Sequence, residues 1–440
     1  MTFEAGRRIT RRDSLRLLSG AAALVGGGIA GAGCSRSDAS APVTSLRFWN
    51  GFTGPDGRTM LRMVERFNAA NPDISVMMQR MDWATYYNKL FVAGIGHRAP
   101  EVFVLHTHAL DRFVHAGFAR PNDDLIAGAD SLDAAAIDSN VWRATEFDGR
   151  HYGLPLDVHT MGMYYNRRLF KEAGIVDEHG EPRPPTDRAS FLDALRRLTK
   201  TGAGGAPEQW GFVFTNLETN VYTIMCQFGG RFFSDNGGKC LLNGVENVAA
   251  LQFCVDLIRK YRYAPPPENF DAWIGFRQGK VAMVFEGVYM LSDLQKQQDL
   301  DFAGAPVPRI GTVNADWAGS HNLCLRSDLE PRTLQAAWRF VRFLSNNSLD
   351  WADGGQIPAR RDLRATPRFG AMTVQTAFAR QVPYVQYLPR LPFIFEFQTE
   401  FDLAVEKALR GSVSPQTALD TATVNIDRII ARERNQGDNP

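Results

Sequence analysis

A chain of 440 residues with 49 Lys and Arg against 48 Asp and Glu, net charge +1, presents no basic footprint for a nucleic acid. Its 44% hydrophobic and 22% charged residues are the proportions of a soluble globular protein and exclude disordered and multi-span membrane classes.

The chain opens on Thr10-Arg11-Arg12-Asp13-Ser14-Leu15, then a Gly/Ala-rich apolar run from Ala21 to Ala32, then Gly33-Cys34. A basic segment, a short apolar stretch and small residues before a cysteine have the form of an export signal, here of the twin-arginine type. The run is too short and too diluted by glycine to be a permanent membrane span. Residues 1–34 are therefore expected to be the signal, with Cys34 a candidate lipidation site; Gly31 stands where a lipobox usually carries leucine. Cleavage nearby, giving a soluble periplasmic protein, is the alternative. Residues 35–44 are polar, carry Pro42 and read as a linker. The remainder is long enough for two or three domains.

Leu46 to Trp49 alternates as a strand, broken by Gly51 to Gly57. Met60, Leu61, Val64 and Phe67 recur at helical spacing until Asn71-Pro72, and Ile74 to Met78 predicts a second strand. Tyr86 to Ile95 predicts a helix, Val102 to Leu105 a short apolar strand, and Leu110 to Val114 another helical start. After Tyr164 the alternation resumes: Phe191, Leu195 and Leu198 on a helix, Phe212 to Phe214 on a strand, Val248 to Ile258 on a long helix. Strands alternating with helices imply mostly parallel sheets covered on both faces. Ligands of such sheets sit beyond the carboxyl ends of the strands, which singles out Asn50 to Gly54 and His106 to His108. Cys226, Cys240, Cys254 and Cys324 have no CxxC spacing and read as buried small hydrophobes, one optional disulfide among them being left open.

Several pieces in order now carry a resemblance. They include Phe48-Trp49-Asn50, Phe67-Asn68-Ala69-Ala70-Asn71-Pro72-Asp73-Ile74, Ala99-Pro100-Glu101-Val102, Asp148-Gly149-Arg150-His151-Tyr152-Gly153-Leu154-Pro155 and Met163-Tyr164-Tyr165-Asn166. Further on come Gly229-Gly230-Arg231-Phe232-Phe233, Phe276-Arg277-Gln278-Gly279-Lys280-Val281-Ala282-Met283, Ala305-Pro306-Val307-Pro308 and Ala336-Ala337-Trp338-Arg339-Phe340. With these the chain resembles the extracellular solute-binding proteins of sugar ABC transporters, a group that includes maltose-, trehalose- and glycerol-phosphate-binding proteins. Glu101 departs from the aspartate usual in that pattern but keeps the carboxylate. The resemblance implies an α/β, two-lobed periplasmic-binding-protein fold (type II-like), each lobe a mostly parallel sheet flanked by helices, joined by a multi-segment hinge. It places one lobe at 45–155 plus 307–355 and the other at 156–304 plus 356–440. It implies a monomer that binds carbohydrate without altering it and hands it to permease subunits with their cytoplasmic ATPase. Membrane attachment would come only through a lipid on Cys34. No cofactor, metal or nucleic acid is expected.

A sugar cleft needs flat aromatic rings beside fixed donors and acceptors. Asn50, Phe52 and Thr53 follow the first strand, where the maltose-binding pattern contributes polar contacts; the charged pair of that pattern is absent, so the ligand need not be maltose. Trp83 and Tyr86 open the helix after the second strand. His106 and His108 alternate past the third, in the family's sugar-contacting loop. His-x-His suits zinc, with His97 and His115 nearby in sequence, but no carboxylate or third histidine falls at a recognised ligand interval. Asp157 and His159 alternate on a candidate crossing segment. No Gly-x-Ser-x-Gly elbow accompanies them, so a serine hydrolase lacks its nucleophile. Glu218 and Asn220 follow the Phe212 to Phe214 strand. Trp273 precedes Phe276, Glu286 and Tyr289 occupy the place of a stacking aromatic, Ser320 and His321 sit where the chain returns to the first lobe, and Arg360 follows Ile357-Pro358. Tyr289 is the leading candidate for stacking. The competing readings are a glycerol-phosphodiester or other polyol-phosphate binder, a sensor ectodomain, and a secreted glycoside hydrolase, which needs two opposed carboxylates.

Overall fold

The computed structural model describes residues 42–128, 131–205 and 207–437. The signal, the candidate lipidation site Cys34 and nearly all of the linker lie outside the described residues. Among the described residues, no helix is long and apolar enough to cross a membrane.

Strand Thr44–Asn50 buries every second residue, Leu46, Phe48 and Asn50, the period of a pleated surface with one face inward. Helix Pro55–Ala70 follows, with proline in its first turn and Met60, Met63, Val64 and Phe67 on its buried face. Its stripe and that of helix Pro331–Asn346 meet the strands in one core, where Phe67 and Phe340 pack edge to face at 5.0 Å. Each fully buried side chain of this kind contributes roughly 1.5–3 kcal/mol. The sheet they cover runs Ile74–Arg80, Thr44–Asn50, Val102–His106, His321–Leu325, Leu154–Pro155. Glu101 ties together the ends of its three middle strands, accepting from Arg47 at 2.6 Å and Arg326 at 3.2 Å; the carboxylate noted as a departure is a structural one.

A second sheet has its own core. It runs Val385–Gln386, Asp316–Gly319, His159–Asn166, Val281–Gly287, Pro207–Phe214, Lys200–Thr201, with Phe302–Ala305 also paired to His159–Asn166. All eight residues of His159–Asn166 and all seven of Val281–Gly287 are buried, as expected of strands covered on both faces. Helices Arg188–Leu198, Leu217–Gln227 and Val245–Arg259 share this core with the C-terminal helix Ile394–Leu409 and with Leu419, Ile426 and Ile430 of helix Pro415–Gly437.

The α/β, two-lobed architecture is the one expected, but the sheets are mixed. Thr44–Asn50 is parallel to both its neighbours, whereas His321–Leu325 runs antiparallel to Val102–His106, and His159–Asn166 antiparallel to Val281–Gly287. The antiparallel strands are those that carry the chain across from the other sheet. The return to the first sheet comes at Ser320 and not near Val307, because Ala318 and Gly319 pair with Thr160 and His159. Three crossing segments lie side by side: Leu156 N–H donates to His321 O at 2.9 Å and Val158 N–H to Ile357 O at 2.8 Å.

Cys226, Cys240, Cys254 and Cys324 are all free thiols. Burial pushes Cys240 up to about 11 and Cys226 up to about 12, so they behave as apolar groups.

Candidate functional site

The carboxyl ends of the parallel strands and the three crossing segments enclose a cavity of about 400 Å³ between the two sheets, within the usual range of about 300–1,000 Å³ for small-molecule sites. One wall is Gly51, Thr53 and Gly54, the start of helix Pro55–Ala70 with Asp56, then Trp83, His106 and His108. The other is Tyr289, Met290 and Trp317, with His159, His321 and Gln356 at the crossing segments.

Each wall residue is placed by local structure. Asp82 caps the helix that opens with Trp83, its carboxylate accepting from Ala84 N–H at 2.9 Å. The Trp83 indole lies nearly parallel to the His321 ring, 17° apart with centroids at 5.8 Å, and 4.3 Å from the His106 ring. Tyr289 follows Val281–Gly287, and its hydroxyl donates to Glu286 at 2.6 Å. Trp317 lies 5.8 Å from His159. The result is a box of flat rings with polar edges.

Beneath it Asp157 is fully buried and binds three rings. It accepts from Trp351 Nε1–H at 2.6 Å, from His321 Nδ1 at 2.7 Å and from the His321 backbone at 3.0 Å, and lies 3.3 Å from His159 Nδ1. Burial alone would raise this carboxyl; the attraction of His321 and the hydrogen bonds of both histidines override it and hold Asp157 well below the usual carboxylate range. Because a carboxylate only accepts, both histidines must carry their proton on Nδ1. Burial, reinforced by neighbouring imidazoles, lowers His106 well below its ordinary value; burial, reinforced by His159, lowers His108 to about 4. Burial also lowers His159. These rings are neutral at pH 7.

Seven of the sequence candidates line the cavity: Thr53, Trp83, His106, His108, His159, Tyr289 and His321. The others do not. Asn50 is buried, its Oδ1 accepting from Phe52 N–H, and Phe52 is a core ring between His321 and Trp351. Tyr86 is buried, donating to Trp49 O and accepting from Val104 N–H. Asp157 and Glu286 sit behind the rings they hold. Asn220 donates to Phe285 O, Ser320 shares a hydrogen bond with Tyr387, and Trp273 packs near Phe276 and Val281 in the second lobe. Glu218 lies apart, beside Asp402 and Glu406. Arg360 is forked onto Asp362 and onto Asn346 at 2.6 Å. Phe52, Tyr86, Asp157, Glu286 and Ser320 are engaged by partners inside the protein, Arg360 by Asp362 and Asn346, and Glu218 and Trp273 lie away from the cavity lining.

Asp56, Met290, Trp317 and Gln356 line the cavity without having been singled out. The signals were faint: Asp56 opens a helix after a strand end, and Gln356 precedes the Ile357-Pro358 crossing. Trp317 Nε1 and Gln356 Oε1 are buried without a protein partner among the described residues, and an unmet buried donor or acceptor costs roughly 1–3 kcal/mol. The third histidine missing from the sequence pattern is supplied by the fold: one ring nitrogen each of His106, His159 and His321 lies within 4.8 Å of the other two.

Comparison with known proteins now decides the family. The profile of the bacterial extracellular solute-binding proteins matches residues 62–373. The chain belongs to that family. Among its relatives, the maltotriose-binding protein of Pyrococcus abyssi is 23% identical over 365 residues, covering 78% of this chain and 73% of that protein. The sn-glycerol-3-phosphate-binding periplasmic protein UgpB of Escherichia coli is 22% identical, covering 89% and 93%. The fold matches the sugar-binding protein MalE from Xanthomonas citri with a TM-score of 0.78 at 22% identity, covering 90% of this chain and all of that one. It matches an ABC substrate-binding protein from Listeria monocytogenes, solved with cycloalternan, with a TM-score of 0.77 at 21% identity, covering 88% and 99%.

Proposed function

We propose that this solute-binding protein captures a carbohydrate, an oligosaccharide or glycoside, in the cavity between its sheets and delivers it to an ABC permease. The observation that carries the reading is the pairing of Trp83 on one wall with Tyr289 and Trp317 on the other, around the polar groups of Thr53, Asp56 and Gln356. Ring faces of a sugar lie against such aromatics while its hydroxyls meet fixed donors and acceptors. Relatives named for maltotriose and a structure solved with cycloalternan support the class.

A polyol phosphate, suggested by the glycerol-phosphate-binding relative, is disfavoured by charge. The lining has no Lys or Arg among the described residues and includes Asp56. Glycoside hydrolysis is disfavoured by the carboxylates: Asp157 and Glu286 are tied up behind the wall and Glu218 is elsewhere, which leaves Asp56 without an opposed partner.

The lobes of this reading are residues 45–155 with 320–355, and 156–319 with 356–440, flexing at the crossing segments. A closed form that alone touches the ligand from both sides is what a permease would recognise. We assign residues 1–34 to export and Cys34 to lipid anchoring at the cell envelope, the chain acting as a monomer. A thermal-shift and calorimetric screen of mono- and oligosaccharides against glycerol phosphodiesters tests the function, because a ligand of the native state alone raises its melting temperature. A shift with phosphodiesters and none with sugars would transfer the assignment to the polyol phosphates.

A further inference from the structure

We propose that His106, His159 and His321 form a binding site for one divalent transition-metal ion of the zinc, nickel or copper class, with an open coordination position facing the cavity. The proposal does not depend on which solute the cleft takes.

Three observations carry it. First, the three rings come from segments far apart in sequence, yet one nitrogen of each lies within 4.8 Å of the others. Tetrahedral nitrogen ligands at about 2.0–2.1 Å from zinc are about 3.3 Å apart, so modest ring rotations draw the set onto an ion. Second, one nitrogen of each ring, Nδ1, is already engaged by the kind of group that orients metal-binding histidines, which leaves Nε2 as the free ligand atom. Asp157 holds Nδ1 of His321 at 2.7 Å and Nδ1 of His159 at 3.3 Å, and the Tyr87 hydroxyl contacts Nδ1 of His106. With Nδ1–H of His159 and of His321 donated to Asp157, Nε2 of those two rings keeps its lone pair when the rings are neutral, and His106 presents Nε2 in the same way in the tautomer that gives its Nδ1 proton to Tyr87. Third, lone pairs converging at the edge of a cavity repel one another unless a cation lies between them.

The donor set fixes the class. Imidazole nitrogens suit zinc, nickel and copper, while calcium and magnesium require oxygen ligands. Three protein ligands leave a fourth position for water or an oxygen of the solute, the pattern of an open site rather than a closed structural one. The Asp157 carboxylate supplies negative charge behind two of the rings. His108, 5.4 Å from His106 and nearly parallel to it at 18°, stacks beside the set without joining it.

The test uses the protein purified without a histidine tag and stripped with a chelator. It should take up one equivalent of Zn²⁺ at neutral pH, and Co²⁺ should produce the intense visible absorption of a four-coordinate site. His106→Ala, which leaves the Asp157 hydrogen bonds untouched, should lose that absorption and weaken Zn²⁺ binding at least 100-fold. Tyr87→Phe removes only the hydroxyl behind His106 and should weaken it roughly 10- to 100-fold. His115→Ala, exposed and outside the cluster, should change nothing. Failure of the unmutated protein to bind Zn²⁺ or Co²⁺ stoichiometrically overturns the proposal whatever the variants do. So does stoichiometric binding with an unaltered cobalt spectrum in folded His106→Ala.

Discussion

The Tyr289 hydroxyl donates to Glu286 Oε1 at 2.6 Å, and the same oxygen accepts from Gly287 N–H at 2.8 Å. Glu286, raised by burial against the pull of these hydrogen bonds, thus fixes an aromatic ring at the cavity wall while staying out of the cavity itself. Tyr289→Ala should weaken ligand binding by on the order of 1–3 kcal/mol with a native circular-dichroism spectrum, since the ring borders a cavity. Unchanged affinity by calorimetry removes Tyr289 from the site.

Asp157 joins both histidines at the crossing segments to the Trp351 indole. Removing one partner of a buried, hydrogen-bonded charge cluster strands the others, at a cost of about 3–5 kcal/mol. Asp157→Ala should therefore lower the unfolding free energy by that amount, read as a fall in the urea midpoint at unchanged m-value. A loss under 1 kcal/mol would show that the four contacts are not acting together.

Much of the cleft was legible because its residues follow strand ends. Thr53, Trp83, His106, His108 and Tyr289 all sit where loops leave the sheets, and that position needs only the alternation of strands and helices. What failed was parity and partnership. Phe52 and Thr53 are neighbours, yet one fills the core against Trp351 and the other faces the cavity. Glu286 looks like a ligand by type but holds Tyr289, and Asn220 gives its amide nitrogen to Phe285 O away from the cavity lining. Trp317 carries no signal in the sequence, since its strand Asp316–Gly319 is a four-residue segment that reaches the cavity only by pairing with His159–Asn166. The convergence of His106, His159 and His321 could not be read from spacing, since two crossing segments bring His159 and His321 to the end of the strand Val102–His106 only in the folded chain.

Gly51 and Trp83 give an independent probe of the wall. A Cβ at Gly51 would fall on the six-membered part of the Trp83 indole, so Gly51→Ala must displace the ring from its place beside His106 and His321. Ligand affinity should fall about tenfold or more, the cost of misplacing one aromatic contact. Tryptophan fluorescence should shift in parallel. If affinity holds while the fluorescence shifts, Trp83 is packing and not recognition.

Asp402, on helix Ile394–Leu409, supplies a pH prediction remote from the cleft. Burial, with repulsion from Glu218 on helix Leu217–Gln227, raises its pKa to about 7. Below pH about 4 the carboxyl is protonated in both the folded and unfolded chains, so it adds no pH dependence. Between about 4 and 7 the unfolded chain has released the proton and the folded chain still holds it. Stability must therefore fall as pH rises through that window and level off above it. The gap from the ordinary value of 3.8 caps the loss at about 4 kcal/mol, and partial contact with solvent reduces it to on the order of 1–2 kcal/mol. Asp402→Asn should remove this slope, leaving stability at pH 4 nearly unchanged and raising it at pH 8. Chemical denaturation of both proteins at the two pH values measures the difference directly, and parallel pH curves would show that Asp402 ionises as an ordinary surface carboxylate.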